Sequence, residues 1–105
     1  MTIQAITTAL AERVMGWRVG PDRFLIGQRR WMPHWRFQPV ERIEDTFRLL
    51  EQLSPKEYAM RAAEDGSFWA RVVVGGVTGE ARELTQARAL TLAIARAVGL
   101  KVEEE

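Results

Sequence analysis

The sequence predicts an α+β domain: a small antiparallel or mixed sheet sandwiched between helices, in the order α-β(β)-α-β-β-α. Apolar residues recur at three- and four-residue steps in three separate segments, which is the helical period. An Asp65-Gly66 pair divides two runs that are mostly apolar on both faces, a pattern that marks a hairpin whose sheet needs cover on either side. The helices are the cover available to it.

The chain of 105 residues, 47% apolar and 28% charged, suits one folded domain over 1–105 with a frayed acidic tail at 100–105. The net charge of +1 is unevenly spread. Residues 1–40 hold six arginines against Glu12 and Asp22, for +4, whereas residues 41–66 hold four basic and seven acidic groups, for −3. With no cysteine, a disulfide framework is excluded and a cytoplasmic setting is expected. The start, MTIQAITTALAERVMGW, lacks the basic and apolar regions of a secretory signal and reads as part of the fold. No apolar run approaches the ~20 residues that span a bilayer.

Thr2 is placed to cap a first helix carrying Ile3, Ile6, Leu10 and Val14 on one face, with Gly16 ending it. Short extended pieces follow, Trp17 to Val19 and Phe24 to Ile26, around a Gly20-Pro21-Asp22 turn, and Gly27 to Arg30 reads as a second turn. From Trp31 the alternation puts Trp31, Pro33, Trp35 and Phe37 on one side, with Pro33 confining the piece to a sheet margin. The second helix carries Val40, Ile43, Phe47, Leu50 and Leu53 inward, with Pro39 in its first turn. Glu41, Arg42, Glu44, Asp45, Arg48 and Glu51 fill its outer face. Ser54-Pro55 closes it.

Glu57 to Val74 reads as the hairpin. A two-residue Asp65-Gly66 loop pairs Glu64 with Ser67 and sets Tyr58, Met60 and Ala62 on one face with Trp69, Arg71 and Val73. Gly75 to Gly79 reads as a flexible connection or a bent strand end. Thr85 caps a closing helix with Ala87, Leu90, Thr91, Ile94, Ala97 and Val98 in its stripe, ended by Gly99.

The unusual stretch is Trp17 to Phe37, which holds three of the four tryptophans and five arginines. Guanidinium groups neutralise phosphate and indoles stack on bases, so such a mixture can line a nucleic-acid groove. It can equally put indole into a core. Burying an indole is worth at most about 4–6 kcal/mol against ~1–3 kcal/mol for stacking on a base, so core packing is the expectation for the tryptophans. The arginines between them are then a rim, and the candidate interaction surface is Arg29, Arg30, His34 and Arg36.

Catalytic parts are scarce. His34 is the sole histidine, Ser54 and Ser67 are the only serines, and no nucleophile-elbow, metal-ligand or cofactor spacing occurs. The glycines at 75, 76 and 79 lack the Gly-Lys-Ser/Thr ending of a phosphate loop. The expectation is a protein that is not an enzyme, with no catalytic residue, cofactor or metal.

LAERVMGW, the tryptophan pair in WMPHW, the FQP approach to IEDTFRLLEQL, the Phe68-Trp69 strand and the closing ARALTLAIARAVG together resemble the phage ABA sandwich domain family. The resemblance spans nearly the whole chain and rests on packing residues. It implies a mixed sheet layered between helices, a phage or prophage origin and therefore a host-cell cytoplasmic setting. No established biochemical role or functional residue comes with it. The family pattern commonly has a cysteine in the closing helix, which this chain lacks.

The function expected is that of a small phage accessory protein acting by non-catalytic binding, with a host or phage protein as the favoured partner. The alternatives are a nucleic-acid-binding module built on 17–37 and sequestration of a small anionic, nucleotide-like ligand by a homo-oligomer. No membrane partner is expected.

Overall fold

The computed structural model describes residues 2–102. Helix α1 spans Ile3–Arg13, started by the Thr2 hydroxyl, which accepts the Ala5 N–H at 3.0 Å. Ile6, Leu10 and Val14 are buried as their spacing predicts, joined by Thr7 and Ala11, while Ile3 is exposed. Gly16, at φ 70°, turns the chain out of the helix, a conformation that costs glycine nothing.

Strands β1 (Arg18–Val19), β2 (Arg23–Gly27) and β3 (Arg30–Pro33) form a three-stranded antiparallel sheet in that order. Phe24 pairs with Met32 and with Val19, while Leu25 pairs with Arg18 and Trp31. Adjacent strand residues point to opposite faces. Val19, Phe24 and Met32 therefore point into the core, and Arg18, Arg23, Leu25, Trp31 and Pro33 point out. Pro33 ends the ladder, and a single 3-10 turn, His34–Arg36, follows.

Helix α2 spans Ile43–Leu53, three residues later than the apolar spacing suggests. Pro39 and Val40 instead lie in a turn closed by the Glu41 and Arg42 amides donating to the Gln38 carbonyl, at 3.0 and 2.8 Å. Two side chains depart from expectation. Phe47 is 43% exposed, and Asp45, assigned to the solvent face, is only 6% exposed. Asp45 is buried because its carboxylate accepts the Gln38 N–H at 2.9 Å and faces Arg48 at 3.7 Å. It anchors the turn that enters the helix.

The second sheet is also three-stranded and antiparallel, β4 (Glu57–Ala62), β5 (Phe68–Val74) and β6 (Val77–Glu83). Two corrections arise here. The first hairpin has a three-residue loop, Glu64-Asp65-Gly66, closed by Ala63 N–H to the Ser67 carbonyl at 2.8 Å with Gly66 at φ 86°. The Asp65 carboxylate accepts both the Ser67 N–H and its hydroxyl, at 3.0 and 2.6 Å. This local bonding fixes a register one residue away from the two-residue alternative, pairing Met60 with Ala70 and Arg61 with Trp69. A one-residue slip exchanges the faces. Tyr58, Met60 and Ala62 thus share a face with Phe68, Ala70 and Val72, and Trp69, Arg71 and Val73 take the opposite one.

The second correction concerns residues 75–79. Gly75 and Gly76, at φ 55° and 80°, form a tight two-residue hairpin turn with Val74 opposite Val77, and the chain runs straight into β6. Helix α3, Gln86–Ala97, begins where Thr85 Oγ1 accepts the Arg88 N–H at 3.2 Å. It lies on the Ala70, Val72 and Ala81 face. A Cβ on Gly79 would collide with the Ala93 carbonyl and the Ala97 backbone, so the strand backbone touches the helix backbone directly.

The opposite face of the second sheet, with Arg61, Trp69, Arg82, Ala59, Arg71 and Glu80, is exposed or half-buried, in place of the two-sided cover expected for this hairpin. Among the described residues, three helices and two three-stranded antiparallel sheets thus make an α+β fold around one core containing Leu10, Phe24, Phe37, Leu49, Val72, Leu90 and Ile94. Leu100 and Val102 pack half-buried against it. The remainder of the tail, Glu103–Glu105, lies outside the described residues.

Candidate interaction surface

The stretch 17–37 is held by an aromatic cluster on its inner side. The Trp17 ring meets Phe37 edge-on at 5.0 Å and Phe24 at 5.7 Å, Phe24 meets Phe37 at 6.0 Å, and the His34 imidazole stacks on Phe24 at 4.3 Å. The Arg48 guanidinium closes over Trp17 at 5.6 Å. Trp17 is therefore structural, as expected.

Trp31 and Trp35 are not. They are 52% and 63% exposed, which reverses the expectation that indoles in this segment fill the core. The cause is geometric. Met32 holds the inward position opposite Phe24, so its neighbour Trp31 must face out. The 3-10 turn after Pro33 then breaks the period of two, and Phe37 turns inward without Trp35.

On the outer face Arg18, Leu25 and Trp31 form a cross-strand row, flanked by Arg23 and Pro33. The Arg23 guanidinium lies 5.5 Å from the Trp31 ring and the Arg36 guanidinium 5.8 Å from Trp35. Asp22 accepts from Arg23 Nε at 3.0 Å, and this hydrogen bond and charge hold its carboxyl below the ordinary range.

Of the four residues singled out from the sequence, Arg29, Arg30 and Arg36 are exposed and His34 is half-buried. They do not form one cluster. Arg29 and Arg30 lie at the β2–β3 turn, while His34 and Arg36 lie beyond the other end of β3, about 13 Å away at ~3.3 Å per strand residue. Between them runs the row of Arg18, Leu25 and Trp31, with Arg23 beside it. Sequence reasoning assigned Trp31 to the core and passed over Arg18 and Arg23; two-residue alternation counted from Phe24 as an inward residue, and carried across the hairpin to its partner Val19, would have placed both arginines on the outer face.

Beside this face a cleft of about 410 Å³ opens between the start of α1 and the 3-10 turn. Ile3, Trp35, Phe37 and Val40 supply apolar walls, and Asp22, Glu41, Gln4 and Gln38 supply polar groups. His34 also lines it. Its Nδ1 lies 3.3 Å from the Gln4 amide nitrogen, while Nε2 is shielded from water without a hydrogen-bond partner among the described residues. Among the described residues no group of three or more acidic or histidine side chains is placed to hold a metal ion. None of their helices is long and apolar enough to cross a membrane.

A family model for the phage ABA sandwich domain matches residues 8–98. The chain belongs to the phage ABA sandwich domain family. The match covers the whole outer face of the first sheet, while Ile3, Gln4 and Thr7 of the cleft precede it. This phage ABA sandwich domain is also similar to the 2.0 Å crystal structure of a phage protein from Bacillus cereus ATCC 14579, with a TM-score of 0.78 at 16% identity, covering 98% of this chain and 93% of that one. At that identity the likeness establishes the fold. No curated protein gives a significant match. The phage ABA sandwich domain is a family of unknown function, so any role for this chain has to be built from its own surface.

Proposed function

We propose that this phage domain acts by non-catalytic binding to a host or phage protein, through the outer face of the first sheet. The observation that carries this is the pair of exposed indoles, Trp31 and Trp35, each beside an arginine. Exposed tryptophan is costly to leave in water, and tryptophan and arginine are the residue types that dominate binding energy when a partner covers them. Half-buried Leu25 and Pro33 between the charges give such a face the apolar centre and polar rim of an interface. Asp22 and Glu41 at its edge favour a protein over a polyphosphate, whose charge they would repel.

The test is affinity capture from infected or lysogenic cells, followed by reconstitution with the purified partner. Trp31→Ala should weaken the reconstituted complex at least about 30-fold, the size of an interface hot spot. A complex that tolerates Trp31→Ala, Trp35→Ala and Arg23→Ala together would sink the proposal.

The net charge of +4 in residues 1–40 favours one alternative, a nucleic-acid partner. Single-stranded oligonucleotides would then bind with affinity falling steeply in salt, and Arg29→Ala with Arg30→Ala would flatten the slope. Sequestration of a nucleotide-like anion has less support, since the cleft presents carboxylates.

A further inference from the structure

We infer that strand β4 is a dimerisation edge, pairing antiparallel with β4 of a second copy of this chain and joining two three-stranded sheets into one. The two margins of the second sheet are not alike. The Ala63 N–H donates to the Ser67 carbonyl, and antiparallel bonding alternates along a strand. Glu57, Ala59 and Arg61 therefore bond β5, while Tyr58, Met60 and Ala62 turn their amides and carbonyls outward. No described residue bonds to those outward groups. At the other margin the same alternation turns Glu80 of β6 outward, and there the Arg96 guanidinium caps its carbonyl. Strand β4 is thus the open template, of the kind that an added strand completes.

The strand's own sequence selects a copy of itself as the occupant. Identical antiparallel strands pair about a two-fold axis, and an axis through Ala59 sets Glu57 opposite Arg61 of the second copy at both ends of the seam. Opposite charges directly across a strand pair attract. On the inner face the same axis sets Tyr58 opposite Met60 of the second copy, and these pairs exchange the outward main-chain bonds. Ala59 meets itself at the axis, where side chains come closest and a small one fits. The Arg61 guanidinium is already held 4.6 Å from the Trp69 ring, and no described carboxylate pairs with it. Tyr58 is half exposed and borders a groove with exposed Phe47 and Pro55, an apolar margin beside the seam. Edges guarded against self-pairing carry proline or charges of one sign, which repel a copy. This edge carries opposite signs four residues apart. No residue of the seam belongs to the face proposed to bind a protein, so the two readings stand or fall separately.

The test is sedimentation equilibrium of the full chain from about 1 µM to about 1 mM, because a seam of one short strand gives a concentration-dependent dimer. Glu57→Arg and Arg61→Glu each put like charges opposite one another at both ends, and each should raise the dissociation constant at least about tenfold. The exchanged variant, Glu57→Arg with Arg61→Glu, restores both attractions and should dimerise within about threefold of the unaltered chain. A second reading needs no substitution. Hydrogen exchange at the Tyr58 and Met60 amides should slow as concentration rises, whereas the Ala59 and Arg61 amides, already bonded to β5, should not change. The inference is overturned by a monomer throughout that range, by a dimer that either single reversal leaves intact, by an exchanged variant as weak as the single ones, or by a dimer whose newly protected amides lie outside β4.

Discussion

The Thr91 hydroxyl on α3 donates to the Pro39 carbonyl at 2.7 Å, across 52 residues and in a fully buried setting. Thr46 on α2 donates to the same carbonyl, also at 2.7 Å. One acceptor with two lone pairs thus joins two helices to the turn that follows Phe37, the residue against which Trp17 and Phe24 pack. The core below the cleft and the outer face is pinned by this polar junction.

A double-mutant cycle tests the junction. Thr46→Val and Thr91→Val should each cost about 1 kcal/mol in urea unfolding, because the carbonyl keeps one donor. Together they should cost more than the sum by about 1–3 kcal/mol, since the carbonyl is then buried without a partner. Strict additivity would contradict the shared acceptor.

The different roles of the tryptophans are separable by stability. Trp17→Ala should cost at least about 2 kcal/mol, because it opens the aromatic cluster. Trp31→Ala and Trp35→Ala should each cost under about 1 kcal/mol, as expected for mostly exposed side chains. Equal costs at all three positions would mean that Trp31 and Trp35 are buried in solution.

Gly79→Ala should destabilise by about 1–3 kcal/mol or more, since a methyl group there meets helix backbone that cannot rotate away. Gly79 has an ordinary φ, so the cost is steric. Thermal unfolding of Gly79→Ala at or above the wild-type midpoint would refute the backbone contact between β6 and α3.

Asp65 gives a pH signature. The hydroxyl and amide of Ser67 hydrogen-bond its carboxylate and hold its pKa below the ordinary value, which is about 3.9. A depressed folded-state pKa contributes stability that is present above the ordinary value and is lost as pH falls through the depressed one. The stability gap between wild type and Asp65→Asn should therefore be steady from about pH 7 to 5 and narrow below about pH 4. A gap that widens toward acid would contradict it.

Much of this architecture is legible in the chain, and the exceptions have physical causes. Thr2 and Thr85 mark the helix starts because a hydroxyl bonded to a free amide is a local event. Register is not local in that sense. One carboxylate, Asp65, shifted the hairpin by a residue and moved Trp69 and Arg71 to the open face. Strand β6 escaped notice because Gly79 and its charged neighbours lower its strand propensity, and only the nearness of α3 explains that glycine. Asp45 reads as a surface residue until the turn at Gln38 supplies the amide that it accepts. The candidate surface was legible in composition but not in placement: the arginines and tryptophans stand out in the sequence, whereas which of them face outward depends on Met32 pairing with Phe24.

The most direct test of the account compares two sheet faces in one binding measurement. Calorimetry with the reconstituted protein partner should show Trp31→Ala, on the outer face of the first sheet, weakening the complex at least about 30-fold. Arg61→Ala, on the open face of the second sheet, should leave affinity within about twofold. Unchanged affinity in Trp31→Ala with a large loss in Arg61→Ala would contradict the account and move the binding surface to the second sheet.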